Sequence, residues 1–161
     1  GERAVPDVAR VEYRGAPAAR AAPGVVEAIV DADVVIVAPS NPVVSVAPIT
    51  AVPAVAAALA STAARVVGVS PIVGGRVVRG MAHRLLPAVG ADVDATGVAA
   101  WYGARSSGGL LDAWIVDSVD AGALPDVRAL GMTASATDTL MDDPDIAAAL
   151  ARTVLDLGHA W

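Results

Sequence analysis

The sequence has 161 residues, a net charge of −6, and no cysteine, lysine or phenylalanine. This length suits one domain with a sizeable core, and the absence of cysteine excludes disulfides, thiolate metal ligands and cysteine nucleophiles. The absence of lysine excludes Schiff-base and Walker-type lysine chemistry, and the acidic charge with scattered arginines argues against a nucleic-acid surface.

The first half of the chain predicts alternating strands and helices. In order, we expect a strand at 8–13, a short helix from Pro23-Gly24 to about Val30, a strand at 34–38, a helix at 43–60 and a strand at 65–69. The continuous apolar run at 34–38 is typical of a parallel strand covered on both faces. Pro48 and Pro53 are expected to break or kink the helix at 43–60.

The second half continues the alternation. We expect helices at 80–89 and 95–103, a strand at 113–116, a short helix or turn at 117–123, a strand at 129–134 and a helix at 144–157. About five strands result. The predicted fold class is α/β, with a Rossmann-like, mostly parallel sheet in a helix–sheet–helix sandwich, and residues 1–161 form part of one domain.

Two polar loops follow two of the predicted buried strands, where open α/β sheets usually bind ligands. In the first loop, Ser40 and Asn41 stand between Pro39 and Pro42, and their side chains can donate hydrogen bonds to a phosphate. Ser45 lies at the start of the next helix, where its side chain could cap and free N–H groups favour an anion. The alternative is that Ser40 and Asn41 only form a turn and a cap.

The second loop is the segment Ser70-Pro71-Ile72-Val73-Gly74-Gly75. Gly74 and Gly75 permit close backbone approach to a ligand, and their amides could form an anion-binding nest. The alternative is an ordinary turn that needs positive φ. Arg76 and Arg79 could reach a phosphate or could simply be solvated.

Other polar and aromatic residues give weaker signals. Thr137 and Asp138 follow the strand predicted at 129–134. They could contact a substrate at the end of that strand, or Asp138 could cap the next helix. His83 and His159 have no third ligand for a metal. Three aspartates form a solvated helix start at Asp142, Asp143 and Asp145. The rings of Trp101 and Tyr102 could stack on a ligand, but a core or dimer contact is the better interpretation.

The chain is 55% hydrophobic with a mean hydropathy of +0.59, mostly from alanine and valine. No apolar run reaches the about 18–20 residues of a spanning helix. The longest, at 43–59, is interrupted by two prolines. With no visible signal peptide, we expect a cytoplasmic protein without membrane or nucleic-acid partners.

The chain resembles the 2-phospho-L-lactate transferase (CofD) family in four segments, in the family's order and over nearly its whole length. The segments are VVIVAPSNPVVSVAPITAVPAV at 34–55, VSPIVGG at 69–75 with Gly80 after it, Tyr102-Gly103 with Leu111-Asp112, and TDTLM at 137–141. One departure is Gly80-Met81, where the family commonly has Gly-Pro. The missing proline slightly weakens the preorganisation of the helix start, and no group that could take part in chemistry is lost.

The resemblance implies a transferase of coenzyme F(420) biosynthesis. Such an enzyme moves a phosphoenolpyruvyl or 2-phospho-L-lactyl group from a GDP-linked donor to the deazaflavin precursor Fo, with release of GMP and with Mg²⁺ assisting. The resemblance also implies a homodimer. It assigns no catalytic residue to this chain. The substrate and nucleotide ligands that it implies are Ser40, Asn41, Ser45, Ser70, Ile72, Val73, Gly74, Gly75, Thr137 and Asp138.

Family members are longer than this chain. We therefore expect an N-terminal half, with a Gly-rich nucleotide loop and the metal-associated acidic residues, to lie outside it, and the isolated chain to be inactive as a fragment. One alternative is a nucleotide- or nucleotide-sugar-binding regulator of the related gluconeogenesis-factor type. Those proteins carry a Pro-Gly-Ser-Leu-type turn where this chain has Pro39-Ser40-Asn41-Pro42. The other alternative is a non-catalytic remnant that still binds a guanine nucleotide.

Overall fold

Four parallel strands form the main sheet of the computed structural model, which describes residues 8–160. In chain order the strands are β1 (Val34–Val37), β2 (Arg65–Val69), β3 (Ile72–Val73), β4 (Arg76–Val77), β5 (Ala113–Asp117) and β6 (Thr133–Thr137). The main sheet has the order β1-β2-β5-β6, while β3 and β4 form a separate antiparallel hairpin. The predicted α/β class and mostly parallel sheet are confirmed.

Helices precede, connect and follow the strands of the main sheet. They are α1 (Val25–Val30), α2 (Ala47–Thr50), α3 (Pro53–Ser61), α4 (Ala82–Ala88), α5 (Ala95–Tyr102), α6 (Leu124–Ala129) and α7 (Pro144–His159). A π-helical turn, Pro42–Val46, leads into α2, and a 3₁₀ turn, Ser118–Ala123, leads into α6. The predicted helices at 95–103 and 144–157 are confirmed to within two residues, and α5 is capped by the Asp94 carboxylate on the Gly97 N–H at 2.7 Å.

Alternating side chains of the strands build a core on each face of the sheet, as the pleat requires. On one face Val66, Trp114 and Val116 are fully buried beneath α4, α5 and α6. On the other face Val67 and Ile115 pack with Leu150 and Val154 of α7. This is the predicted helix–sheet–helix sandwich.

Trp114 fixes the spacing between β2 and β5. Its ring is fully buried, its indole N–H donates to the Ala95 carbonyl at 3.0 Å, and it lies opposite Gly68 in the parallel register. A Cβ on Gly68 would lie 2.6 Å from a ring carbon of Trp114. Position 68 therefore accepts only glycine without displacing the indole.

The strand predicted at 8–13 is wrong, because this segment has no regular structure. Val8 and Val11 still pack against the core, and the Tyr13 hydroxyl donates to the Val43 carbonyl at 2.6 Å. Arg10 and Glu12 face outward and pair at 3.5 Å. The alternation thus reflects a half-buried covering segment and not a strand.

The strand predicted at 129–134 is shifted. Ala129, where the strand was predicted to begin, is the last residue of α6, and this helix has Pro125 in its first turn. Gly131, with φ 92°, ends the helical segment, and β6 begins at Thr133. Proline at a helix start and glycine after a helix end are the usual signals for such boundaries. The strand at 113–116 and the short helix or turn at 117–123 are confirmed.

The break predicted in the helix at 43–60 is confirmed at Pro53. Pro48 lies in the first turn of α2, where a missing N–H costs nothing, whereas the segments Pro42–Thr50 and Pro53–Ser61 meet at 86°. Within residues 8–160 no single helix has the length and apolar character to cross a bilayer, and only this bent pair meets those two criteria when joined.

We predict that Gly68→Ala lowers the free energy of unfolding by about 1–3 kcal/mol, because the new methyl group overpacks the site of Trp114. Gly122→Ala is the matched control, since nothing lies within 4 Å of a Cβ there and its φ is not positive. Urea denaturation followed by tryptophan fluorescence measures both. Equal stability of the two variants would contradict the packing described.

Candidate functional site

A cleft of about 630 Å³ opens at the carboxyl ends of β1, β2 and β6. Its lining comes from the loops after these strands and from the hairpin, so segments far apart in sequence share one wall. The lining residues are Pro39, Ser40, Asn41, Ser45, Ser70, Pro71, Val73, Val77, Val78, Arg79, Gly80, Ala82, Thr139, Leu140, Met141 and Asp142.

Asn41 organises the loop after β1. Its side-chain oxygen accepts hydrogen bonds from the N–H groups of Val43 and Val44 at 3.0 and 3.2 Å, and thereby caps the π-helical turn. The expectation that free N–H groups here favour an anion is therefore wrong, and Asn41 rather than Ser45 provides the cap. The Asn41 amide nitrogen and the hydroxyls of Ser40 and Ser45 make no hydrogen bond within the described residues. These three groups can donate into the cleft.

Ser70 supports the loop after β2 from inside. Its side chain is buried, and its hydroxyl donates to the Ile72 carbonyl at 2.9 Å and accepts from the Ile72 N–H at 3.1 Å. Its own N–H donates to the Ile115 carbonyl at 2.8 Å and so extends the pairing of β2 with β5. Ser70 therefore holds the wall of the cleft, and its hydroxyl is already engaged.

Gly74 and Gly75 form the turn of the β3–β4 hairpin, with φ values of 57° and 69°. The Gly74 N–H donates to the Asp120 carboxylate at 2.9 Å, so it is not a free anion donor. Neither glycine lines the cleft, and Ile72 is fully buried. Of this segment, only Ser70, Pro71 and Val73 face the predicted site.

Arg79 supplies positive charge to the cleft. It follows the hairpin, is exposed, and forms no ion pair within residues 8–160. Arg76 lies in β4 and does not line the cleft. A guanidinium with free donors beside a pocket is well suited to a phosphate.

The part of the cleft lining that follows β6, residues 139–142, depends on the buried carboxylate of Asp117. One of its oxygens accepts from both the N–H and the hydroxyl of Thr139 at 2.9 Å, and the other accepts from the Val119 N–H at 3.1 Å. Burial opposes ionisation, but the three hydrogen bonds more than offset it and lower the pKa of Asp117. The charged group thus holds Thr139 above the end of β5.

Thr137 and Asp138 do not line the cleft. Thr137 is the last residue of β6 and pairs with Asp117, and Asp138 accepts a hydrogen bond from the Ser118 hydroxyl at 2.6 Å. Asp138 is not the helix cap either, because Asp143 caps α7 by accepting from the Asp145 N–H at 2.7 Å. The cleft is lined instead by the next four residues, which include the exposed side chains of Leu140 and Met141.

The remaining candidates lie elsewhere. Tyr102 packs in the core with its ring 5.8 Å from that of Trp114, and burial raises its pKa. Tyr102-Gly103 and Leu111-Asp112 meet near the amino ends of β2 and β5, away from the cleft, where the Leu111 N–H donates to the Gly103 carbonyl at 3.0 Å. Asp112 there accepts from the Val66 N–H at 2.8 Å and pairs with Arg105 at 3.2 Å. These residues hold the sheet and do not line the cleft.

The described residues do not fit a magnesium site of their own. No group of three or more histidine, aspartate or glutamate side chains within residues 8–160 is arranged to hold a metal ion. Asp142 is the one carboxylate among the residues that line the cleft. A Mg²⁺ site normally needs oxygen ligands in octahedral geometry, from carboxylates, water and substrate phosphates.

The cleft is chemically divided. Ser40, Asn41, Ser45 and Arg79 offer hydrogen-bond donors, three of them neutral and one charged. The valines of the hairpin segment, with Leu140 and Met141, offer apolar surface. Such a cleft suits a ligand with both anionic and flat apolar parts.

Sequence reasoning missed two contributions to this site. Leu140 and Met141 were part of a motif but gave no chemical signal, because apolar side chains rarely stand out as ligands. Asp117 ends a fully buried strand, and a lone carboxylate at that position was a detectable sign of a buried polar network.

Comparison with known proteins gives a consistent result. A family model described as 2-phospho-L-lactate transferase CofD matches residues 1–154. The chain is 51% identical over 145 residues to a phosphoenolpyruvate transferase of Streptomyces griseus, covering 90% of this chain and 44% of that protein. The chain is 46% identical over 145 residues to the protein of the same name from Mycolicibacterium smegmatis, covering 90% of this chain and 43% of that protein. It is 50% identical over 155 residues to the one from Streptomyces avermitilis, covering 96% of this chain and 47% of that protein. The chain thus spans less than half the length of these curated relatives.

We predict that Asp117→Asn lowers the free energy of unfolding at pH 7 by roughly 1.5–3 kcal/mol, as is usual when hydrogen bonds to a charged group are lost. The folded-state pKa of Asp117 is lowered, so the stabilisation is complete above the unfolded pKa of about 3.9 and disappears as the pH falls through the folded value. Urea titrations between pH 7 and pH 3 should show the two proteins converging in acid. The control Asp156→Asn, at an exposed position of α7, should change the free energy of unfolding at pH 7 by less than about 0.5 kcal/mol. A pH-independent deficit for Asp117→Asn would contradict the network.

Proposed function

Since this chain belongs to the 2-phospho-L-lactate transferase CofD family, we propose that it forms the substrate-binding part of a transferase in coenzyme F(420) biosynthesis. The proposed reaction moves a phosphoenolpyruvyl group from a GDP-linked donor to the deazaflavin precursor Fo and releases GMP. The enolpyruvyl donor is favoured over the lactyl donor because the relatives described above are named phosphoenolpyruvate transferases.

The proposal rests on the convergence of separate family segments on one cleft. Three of the four segments that resemble the family, around Ser40-Asn41, around Ser70 with Gly80, and around Thr139, converge on one cleft although they are far apart in sequence. The cleft lies at the carboxyl edge of a parallel sheet, the usual ligand position in such folds. Convergence of separate motifs on one pocket supports a shared ligand.

The donor groups of the cleft suit a diphosphate. In the proposed arrangement, Arg79 and the Asn41 amide bind phosphate oxygens, and the hydroxyls of Ser40 and Ser45 add neutral donors. The apolar wall formed by Val77, Leu140 and Met141 accepts a ring system by contact and desolvation. The turn is rigid before a ligand arrives, because Asn41 already caps it between Pro39 and Pro42.

The proposed chemistry is a displacement at phosphorus. A hydroxyl oxygen of Fo forms a bond to the phosphorus that carries the enolpyruvyl group, the bond from that phosphorus to the bridging oxygen breaks, and GMP leaves with the electron pair. The proton of the attacking hydroxyl passes to solvent. Such transfers depend chiefly on positioning and on donors that offset charge on the phosphate oxygens. Arg79 fits the second role. Magnesium is proposed from the family resemblance, and when bound it would offset negative charge on the phosphate oxygens.

We predict that Arg79→Gln weakens GDP binding to this chain about 10–100-fold, because a charge-assisted hydrogen bond is worth about 1.5–3 kcal/mol. Isothermal titration calorimetry measures the affinity. Arg76→Gln is the matched control, since that arginine is exposed and does not line the cleft, and it should bind GDP as the unmodified chain does. Equal effects of the two substitutions would argue against a phosphate site at Arg79.

We further predict that the 161 residues alone release little GMP from a GDP-linked phosphoenolpyruvate donor in the presence of Fo and Mg²⁺. The physical reason is that the described residues do not form a metal site and the chain spans 44% of its Streptomyces griseus relative. GMP is followed by HPLC, with that full-length relative as the positive control. Robust Fo-dependent release by the 161 residues would refute this expectation.

A further inference from the structure

The β3–β4 hairpin forms part of the cleft wall and is small. Each of its strands has two residues, and the pairing joins Ile72–Val73 to Arg76–Val77. Ile72, at the base, is fully buried, whereas the turn residues Gly74 and Gly75 are exposed. A two-stranded hairpin is only marginally stable in water by itself. It therefore needs contacts with the rest of the chain to keep a defined position.

Asp120 holds the tip of this hairpin. Its carboxylate accepts a hydrogen bond from the Gly74 N–H at 2.9 Å, although the two residues are 46 positions apart. Among the described hydrogen bonds of residues 73–80, this is the one that reaches an element outside the hairpin. A carboxylate acceptor makes such a bond stronger than a neutral acceptor does. The exposed turn is therefore tied to the 3₁₀ turn that contains Asp120, Ser118–Ala123.

The 3₁₀ turn is itself fixed by polar contacts. At its start the buried Asp117 carboxylate accepts from the Val119 N–H at 3.1 Å, and the Ser118 hydroxyl donates to the Asp138 carboxylate at 2.6 Å. Asp117 is the last residue of β5, which lies between β2 and β6 in the main sheet. The turn is thus fastened directly to the sheet, and Asp120 joins the hairpin to it.

The place of Arg79 in the cleft depends on this hairpin. Arg79 lies between β4 and α4, is exposed, and makes no ion pair with any residue from 8 to 160 that would fix its guanidinium. On its C-terminal side the chain is held by α4, whose first residue, Ala82, is buried. On its N-terminal side the chain is held by the hairpin alone. A shift of the hairpin would therefore move the guanidinium relative to the other donors of the cleft.

We propose that Asp120 is a positioning residue for phosphate binding, acting through Gly74 and the hairpin on Arg79. Asp120 does not line the cleft, so it does not contact the ligand itself. The inference rests on the proposed function, because it takes Arg79 as the group that binds a phosphate of the GDP-linked donor. Coulomb repulsion alone gives the opposite expectation, since removal of a negative charge favours an anionic ligand. Weaker binding after loss of the Asp120 carboxylate therefore has a geometric cause.

A double-mutant cycle with GDP as the probe tests the proposal. Asp120→Ala should weaken GDP binding to the 161-residue chain by about 3–10-fold, the range that one hydrogen bond contributes. In the Arg79→Gln background the same substitution should change the affinity by less than about twofold, because the group that it positions is gone. Isothermal titration calorimetry measures all four proteins. A general loss of stability would weaken binding equally in both backgrounds and would show no such coupling.

Two further variants separate the hydrogen bond from the charge. Asp120→Asn removes the charge but keeps a side-chain oxygen that can accept from the Gly74 N–H, so it should restore GDP affinity to within about twofold of the unmodified chain. Asp156→Ala, at an exposed position of α7 that does not line the cleft, should bind GDP as the unmodified chain does.

The outcomes distinguish this inference from the proposed function. If Arg79→Gln weakens GDP binding but Asp120→Ala does not, or does so equally in both backgrounds, the positioning role is overturned and the phosphate site at Arg79 stands. Equal weakening by Asp120→Asn and Asp120→Ala would overturn the role as well. If Arg79→Gln leaves the affinity unchanged, the phosphate site itself is refuted, and the positioning role with it.

Discussion

The cleft depends on the buried carboxylate of Asp117. Strand β5 lies between β2 and β6, so the segment after β6 can reach the loops of β1 and β2 only by crossing the end of β5. Asp117 is the last residue of β5, is 5% exposed, and binds the N–H and hydroxyl of Thr139. Among the described hydrogen bonds of the cleft-lining residues 139–142, the two from Thr139 to Asp117 are the ones that reach another element. A polar interaction therefore positions an apolar wall.

The donor side of the cleft follows a different rule. The backbone N–H groups that strand-end loops often offer to anions are already used, at Val43 and Val44 by Asn41 and at Gly74 by Asp120. These internal hydrogen bonds hold the loops in place before a ligand arrives, because each of them ties the loop backbone to a side chain. Recognition is left to side chains, with Arg79 as the charged one and Ser40, Asn41 and Ser45 as neutral ones. Rigid loops with outward side chains are well suited to a reaction that depends on positioning.

The sequence predicted most of the sheet and part of the site. The runs at 34–37 and 66–69 are apolar throughout, a pattern typical of parallel strands inside an α/β sheet. The alternation at 8–13 misled because a covering segment with one face on the core has the same period as a strand. The loops after β1 and β2 were found because strand ends in parallel sheets gather at one edge. Which groups of those loops are free was not predictable, because the partners of Ser70 and Gly74 are set by tertiary contacts, some as far as 46 positions away.

The proposed function requires that the segments after β1, β2 and β6, with Arg79, bind one nucleotide together. We would titrate the ¹⁵N-labelled chain with GDP and follow the amide chemical shifts. Saturable shifts are expected to cluster at Ser40, Asn41, Ser45, Arg79, Gly80 and residues 139–142. A second cavity lies at the amino ends of the strands, where Arg65, Arg105 and Asp112 contribute to its lining, and its residues should show no saturable shift. Shifts confined to that cavity, or no saturable shift at the cleft, would rule out the proposed site.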